Sequence, residues 1–304
     1  MSERHALDAR AVGLMTMLCL IWGLQQVALK VTASDFSPLL QIALRSGVGA
    51  LLVGAFMRLR GERMSMGDGL WKAGFVVGGL FALEYLFVGE GLRYTSAAHM
   101  VVFLYTGPIF AALGLHWALP AERLRAVQWI GIGLAFGGIA MAFLLRGLGT
   151  EHELAAMLWG DFLGLLGGAA WGATTVVIRT TRLAALPATQ TLQYQLVAAF
   201  ALLMPAALIG GHTTFIPGTL VWVGFAYQCL AMSFVSYLVW FWLMRRYLAS
   251  PLGELTFKTP LFGVILGAWL LDEVIEPSFL LGAGLVIAGI VLVSAGGKVR
   301  RAGA

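Results

Sequence analysis

The apolar residues of this chain fall into ten runs of roughly twenty residues each. An α-helix rising ~1.5 Å per residue needs about that length to cross the ~30 Å hydrocarbon core of a bilayer. Lipid offers backbone amides no water, so such runs must close their hydrogen bonds internally as helices. They lie near 11–29, 38–57, 70–89, 97–119, 126–145, 157–178, 189–210, 218–244, 251–271 and 278–296. The joins are short, the longest falling around Arg58 to Asp68 and Arg146 to Met157, and leave no room for a soluble domain. With 60% hydrophobic and 12% charged residues, against roughly a quarter charged in soluble domains, the sequence predicts an all-α integral membrane protein of ten transmembrane helices.

The first run follows Arg4 and Arg10 and precedes small residues near Ala33, an arrangement that resembles a signal peptide. It is longer than the roughly 7–15 apolar residues of such segments, and its sequence recurs later in the chain, so it is expected to stay. Cys19 and Cys229 each sit alone inside a run, with no metal-ligand or redox spacing, and read as packing residues. The net charge of +5 comes without a basic patch interleaved with aromatics, which argues against nucleic acid.

The charge is distributed by side. Assigning the joins alternately to two faces puts Arg4, Arg10, Arg58, Arg60, Arg63, Lys72, Arg123, Arg125, Arg179, Arg182, Arg245, Arg246, Lys298, Arg300 and Arg301 on one face, and only Lys30, Arg93 and Arg146 on the other. By the positive-inside rule both termini are expected in the cytoplasm. One span more or fewer would scramble this asymmetry.

The chain also repeats. Trp22-Gly23, Val27, Lys30, Pro38 and Gln41 recur in order and spacing as Trp171-Gly172, Val176, Arg179, Pro187 and Gln190. Further on, Arg93-Tyr94, Pro108, Glu122, Gly131, Gly133 and Gly138 are answered by Arg246-Tyr247, Pro260, Glu273, Gly282, Gly284 and Gly289. The halves are therefore 1–150 and 151–304. Five spans each is an odd number, so the second copy must enter the membrane inverted. Inverted repeats give two near-symmetric packings of the same helices around a site near the midplane, as in secondary transporters.

The paired Trp-Gly, the mid-span Pro108 and Pro260, and Glu122 and Glu273 ahead of glycine-patterned final spans resemble the drug/metabolite transporter superfamily, in its ten-span EamA-type branch. The tyrosine- and tryptophan-rich middle spans are similar to those of bacterial aromatic amino acid exporters. The resemblance implies a secondary transporter in a bacterial inner membrane, exporting aromatic and other neutral amino acids by alternating access. Drugs or other small metabolites are the nearest alternative substrates, whereas a nucleotide sugar would call for several buried cations.

Charges inside hydrocarbon cost on the order of 2.5–3.5 kcal/mol at a helix centre and face a partner or a polar cavity. Lys258 lies about 10 Å into the ninth span, counted from a cap at Ser250 and Pro251. It could hold a substrate carboxylate or snorkel its stem to the cytoplasm. Glu84 could serve an ammonium group or a proton, or pair with Arg93 at the rim. Arg45, answered by Tyr194 and so not repeated, reads as a packing or gating charge. Trp22 and Trp171 fall mid-span, away from the interfacial belts, and with Tyr85 and Tyr105 could line an aromatic surface flanked by Gln25 and Gln41; plain helix packing is the other reading. Trp117, Trp129, Trp159, Trp222, Trp240 and Trp242 are expected in belts or against lipid. Pro108 and Pro260 each remove a backbone bond and mark candidate hinges. Gly131, Gly133, Gly137 and Gly138 are expected to let helices approach closely, within the chain or in a dimer.

His99 and His116 share the fourth span with no acidic residue at helical spacing, so neither reads as a metal ligand or proton relay. No phosphate-binding glycine loop, catalytic carboxylate pair or nucleophile elbow occurs, so no enzyme activity, cofactor or metal is expected. An intramembrane enzyme would need such groups clustered at one depth. A structural protein would not require an inverted repeat with buried charges. The expected partners are a small-molecule substrate and the lipid bilayer, with the chain acting as monomer or homodimer.

Overall fold

A computed structural model describes residues 8–67, 69–144, 151–247, 252 and 255–295. In chain order the helices are α1 (Ala9–Val31), α2 (Pro38–Leu59), α3 (Leu70–Gly91), α4 (Ala97–Leu104), α5 (Gly107–Ala118), α6 (Ala126–Leu144), α7 (Glu151–Thr180), α8 (Ala188–Ile209), α9 (Thr219–Ala226), a π-helix (Tyr227–Ser236), α10 (Tyr237–Arg246), α11 (Lys258–Leu270) and α12 (Pro277–Ala295). Among the described residues, seven helical stretches are long and apolar enough to cross a membrane, and Ala126–Ala142, Lys258–Leu270 and Pro277–Val293 are shorter apolar helices. Large side chains such as Leu51, Phe75, Trp117, Ile130, Trp159, Trp222, Ile265 and Trp269 stand exposed along the helix flanks. Such a surface is a liability in water and the natural one against lipid.

Local chemistry sets the helix ends. The Asp8 side chain caps α1 by accepting from the Ala11 amide at 2.7 Å, and Ser96 caps α4 by accepting from the His99 amide at 3.1 Å. Pro38 opens α2 and Pro108 opens α5, where the missing N–H costs nothing. Inside the spans, Thr16, Thr32, Ser46, Thr174 and Ser236 donate to carbonyls one turn back, which hides a hydroxyl from lipid without a partner helix.

Three expected spans are not continuous α-helices. The fourth is cut at Tyr105 and Thr106 into α4 and α5, and the eighth passes through a ten-residue π-helix. In the ninth, α11 starts at Lys258 after a turn at Thr256 and Phe257, so the breaks in spans 4 and 9 fall at matched positions of the two halves. The cap expected at Ser250 and Pro251 lies outside the described residues.

Helices in lipid gain little from hydrophobicity and pack through close backbone approach. In α6 against α12, a methyl at Gly131 would stand 2.7 Å from the Gly289 oxygen, and one at Gly282 2.6 Å from the Gly138 oxygen. As numbers rise along α6 they fall along α12, so these helices cross antiparallel. Exchanging the halves maps each contact onto the other. Gly133 and Gly137, expected to pack as well, have no atom within reach; they occupy the outer side of the same helix.

The same exchange holds elsewhere atom for atom. Gly23 of α1 meets the Thr259 oxygen, Phe262 Cβ and Gly263 nitrogen of α11, and Gly172 of α7 meets the Gly107 oxygen, Phe110 Cβ and Ala111 nitrogen of α5. The third span breaks the pattern. α3 packs along both α7 and α8, while its counterpart, the stretch from α9 to α10, lies less closely against α1 and α2.

Candidate functional site

Where α1, α2, α3 and the π-helix converge, a polar cluster lies buried among apolar side chains. Its centre is Arg45, 3% exposed, whose Nη1 donates to Gln228 Oε1 at 2.6 Å. Gln228 Nε2 donates in turn to the Gln25 carbonyl at 3.0 Å. With its amide oxygen turned toward the guanidinium, Gln25 accepts from Nη2 and Nη1 at 3.2 and 3.3 Å. The Arg45 Cζ lies 4.6 Å from the centre of the Tyr85 ring, a cation–π contact that strengthens away from water. The Tyr85 side chain also lies next to Gln25 and Tyr237. Glu84 is buried within electrostatic range of Arg45. Tyr227, beside Gln228, donates to the Ile21 carbonyl.

Of the expected site residues, Gln25, Glu84 and Tyr85 meet in this cluster. Tyr105 lies within electrostatic range of Tyr85 and Glu84, and its ring meets that of Trp171 edge to face at 5.2 Å. Tyr105 and Trp171 belong to the neighbouring apolar core, with Val101, Phe103 and Ile109. Trp22, one turn from Gln25, donates Nε1 to Ser236 Oγ at 3.1 Å and packs on Trp240 at 5.7 Å. Lys258 does not reach the cluster; its stem runs toward the N-terminal end of α1, where its Nζ donates to Thr16 Oγ1 at 2.9 Å. Gln41 lies outside it and donates to Thr32 Oγ1 at 2.9 Å, tying α2 to the end of α1. Pro108 and Pro260 stand just beyond the two breaks, each in the first turn of a half-helix.

Four expectations change. Glu84 is not a rim residue paired with Arg93, because Arg93 binds Glu90 at 2.8 Å. Arg45, read as a packing or gating charge, is the hub. Trp240, expected in a belt or against lipid, packs inward on Trp22. His99 does have an acidic partner, supplied by the other half: its Nδ1 lies 3.1 Å from Asp161 Oδ2, Thr95 donates to the same carboxylate, and the His99 ring stacks on Phe279 at 3.8 Å. The sequence signals that could have revealed these were Asp161 inside the sixth run and Gln228 inside the eighth, each an isolated polar residue in apolar surroundings.

The two faces of the bundle differ. On the face opposite the N-terminus, Lys30 Nζ donates to the Leu92 and Thr95 carbonyls at 2.6 and 2.8 Å. Both Glu273 oxygens accept from the α4 amides of Ala97 and Ala98, at 2.6 and 3.0 Å. Phe36 and Phe215 form a backbone bridge with rings 5.0 Å apart. On the N-terminal face a cavity of about 410 Å³ opens between α1, α2, α8 and α10, lined by Arg10, Leu14, Phe56, Arg60, Thr189, Leu238, Val239 and Trp242. Phe56 is about 16 Å from Arg45 along α2 at helical rise, so the cavity does not reach the cluster.

The model of the EamA-like transporter family matches residues 9–144 and again 158–295. The uncharacterized inner membrane transporter YedA of Escherichia coli K12 is 25% identical, over 93% of this chain and 90% of its own. The uncharacterized transporter YoaV of Bacillus subtilis is 24% identical, over 90% of this chain and 92% of its own. Among solved structures, one crystal structure superposes with a TM-score of 0.66 over 98% of this chain and 100% of that chain at 20% identity, a likeness of fold.

Proposed function

The chain belongs to the EamA-like transporter family, and on that premise we propose that it exports amino acids, aromatic and other neutral ones, across a bacterial inner membrane by alternating access. It is a multi-pass membrane protein, and the names of its relatives point to transport rather than to an enzyme. In this reading ten spans form two inverted five-helix repeats, 1–150 and 151–304, with both termini cytoplasmic. The exchange-related contacts of α6 with α12, and of α1 with α11 and α7 with α5, support the inversion.

One observation carries the proposal: a sealed polar and aromatic cluster between the halves, closed on one face by Lys30, Glu273 and the Phe36 bridge and approached from the other by a cavity. With the N-terminal face in the cytoplasm, this arrangement is inward-facing and ready to load. Arg45 and Glu84 offer opposite charges to a zwitterion, and Tyr85, Tyr105, Trp22 and Trp171 offer an apolar wall. The two broken spans present half-helix N-termini at their breaks, the ends that favour negative groups. Both halves of the pathway lie in one chain, so a monomer suffices.

Uptake of labelled phenylalanine into proteoliposomes, with and without a proton gradient, tests this reading. Saturable uptake competed by other neutral amino acids is expected. Folded protein that moves no amino acid in either direction would remove the function while leaving the fold.

A further inference from the structure

Arg45 carries a charge into the centre of the bundle, yet among the described residues every direct contact of its guanidinium is neutral: Gln228, Gln25 and the Tyr85 side chain. Glu84 acts on it through space, and no described carboxylate stands within ion-pair distance. A buried guanidinium has five donors in a planar fork. Amide oxygens satisfy part of that capacity, and a carboxylate satisfies it better, because it adds an opposite charge and accepts two parallel bonds from the fork.

We propose that Arg45 is the receptor for the carboxylate of the transported solute, and that the carboxylate binds by displacing the Gln228 side chain. This deepens the transport reading and rests on it only in calling the bound anion a substrate. Lys258 cannot serve the same group. It is held by Thr16, about 13 Å along α1 from Gln25 at helical rise.

The displacement has a structural consequence. Gln228 is a clasp: its Oε1 takes a proton donor from α2 and its Nε2 binds a carbonyl of α1. It projects from the π-helix, a geometry that is rare and concentrated at functional sites. The stretch carrying it is also the one packed less closely on α1 and α2 than its counterpart α3 is on α7 and α8. A ligand can shift a conformational equilibrium only by interacting differently with the two states. A carboxylate that takes over the guanidinium releases the π-helix from α2, which is such a difference. The substrate class that follows is a monocarboxylate with a compact apolar or aromatic body, an α-amino acid included, and not an amine alone.

The test uses the full chain purified in detergent, titrated with L-phenylalanine, 3-phenylpropionate and phenethylamine, with intrinsic tryptophan fluorescence and thermal shift as readouts. Both carboxylates are expected to bind and the amine is not. Arg45→Gln should weaken carboxylate binding by about tenfold or more, the loss of at least one charge-assisted bond. Gln228→Leu should tighten it several-fold, because the resident competitor is gone. Should Arg45→Gln fail to fold, Arg45→Lys and Gln228→Leu decide, since only displacement predicts opposite changes in affinity for them. Equal binding by wild type and both Arg45 variants, phenethylamine binding as tightly as 3-phenylpropionate, or no carboxylate binding at all overturns the proposal. Arg45-dependent carboxylate binding without phenylalanine uptake in vesicles keeps the anion site and removes the transport reading.

Discussion

Replacing Glu273 with glutamine should open the face opposite the N-terminus. In the closed arrangement both Glu273 oxygens accept from the first amides of α4, Ala97 at 2.6 Å and Ala98 at 3.0 Å. These are donors that a helix cannot satisfy internally. Glutamine keeps one acceptor, loses the second bond, and loses the charge at the positive end of the α4 dipole. A hydrogen bond to a charged group contributes about 1.5–3 kcal/mol, and a charge at a helix N-terminus about 0.3–1 kcal/mol. The substitution should therefore cost the closed arrangement roughly 2 kcal/mol, a shift of about thirtyfold toward opening at 1.4 kcal/mol per factor of ten. The cap joins the loop between α11 and α12 to the start of α4, a contact across the halves that opening must break. Met100, fully buried on α4, is a suitable reporter. With Met100→Cys in a background where Cys19 and Cys229 are alanine, a membrane-impermeant maleimide added to intact cells should label slowly, and about thirtyfold faster once Glu273→Gln is added. An unchanged labelling rate, in protein with an unchanged Tm, would refute the argument that this carboxylate holds the face shut.

The glycine contacts predict a sharp contrast: Gly282→Ala would push a methyl to 2.6 Å from the Gly138 oxygen and should lower Tm at a cost of about 1–3 kcal/mol, whereas Gly133→Ala, facing open space, should leave Tm unchanged. Asp161→Leu removes the acceptor shared by Thr95 and His99 and should destabilise by about 1–3 kcal/mol for each polar group left unpaired, read as Tm in detergent. The Asp8 carboxyl is held below its ordinary range by the Ala11 amide and then by the Tyr247 hydroxyl. A depressed carboxylate stabilises fully above its unfolded pKa, about 3.9, and the contribution fades as pH falls through the lower folded value. Wild type should accordingly lose its stability advantage over Asp8→Asn only at strongly acidic pH. If the two Tm profiles already meet at pH 5, the cap is not the cause.

Much of the architecture could be read from the residues because a bilayer leaves few choices. Runs of apolar residues had to be helices, and the matched Trp-Gly, Pro and Glu positions required a repeat. Gly23 and Gly172 show why the repeat was legible: each must clear the same three atoms of a neighbouring helix, so neither half can change that glycine freely. The breaks were less visible. Pro108 and Pro260 announced local irregularity, but a proline kinks or starts a helix with equal ease, and only tertiary packing decides that α4 and α5 part at Tyr105 and Thr106. The π-helix has no proline and no glycine, and nothing in its local propensity separates it from α. His99 was misjudged for a related reason. Its partner Asp161 is remote in sequence, and a search at helical spacing looks only along one helix.

Part of the candidate cluster was legible in its residue types, and its centre was not. Reading Glu84, Tyr85, Tyr105 and Gln25 as candidates used the cost of burying polar groups, which is local to each residue. Arg45 was set aside because Tyr194 answers it without a charge, as though the useful residues had to obey the repeat. The structure favours the opposite logic. In the alternating-access reading, symmetric contacts such as Gly131 with Gly289 and Gly138 with Gly282 build a frame with two equivalent packings. A substrate that sat on symmetric groups would interact alike with both, and a ligand with equal affinity for two states moves neither. Discrimination must come from residues the exchange does not reproduce: Arg45, answered by Tyr194, whose hydroxyl instead holds the Ser65 carbonyl at 2.8 Å, and Gln228, carried on a π-helix while its counterpart stretch in α3 stays α-helical. Restoring the symmetry with Arg45→Tyr should therefore leave the folded bundle in place and abolish substrate-dependent change in Met100→Cys labelling, whereas persistence of that change would put the discriminating contacts elsewhere.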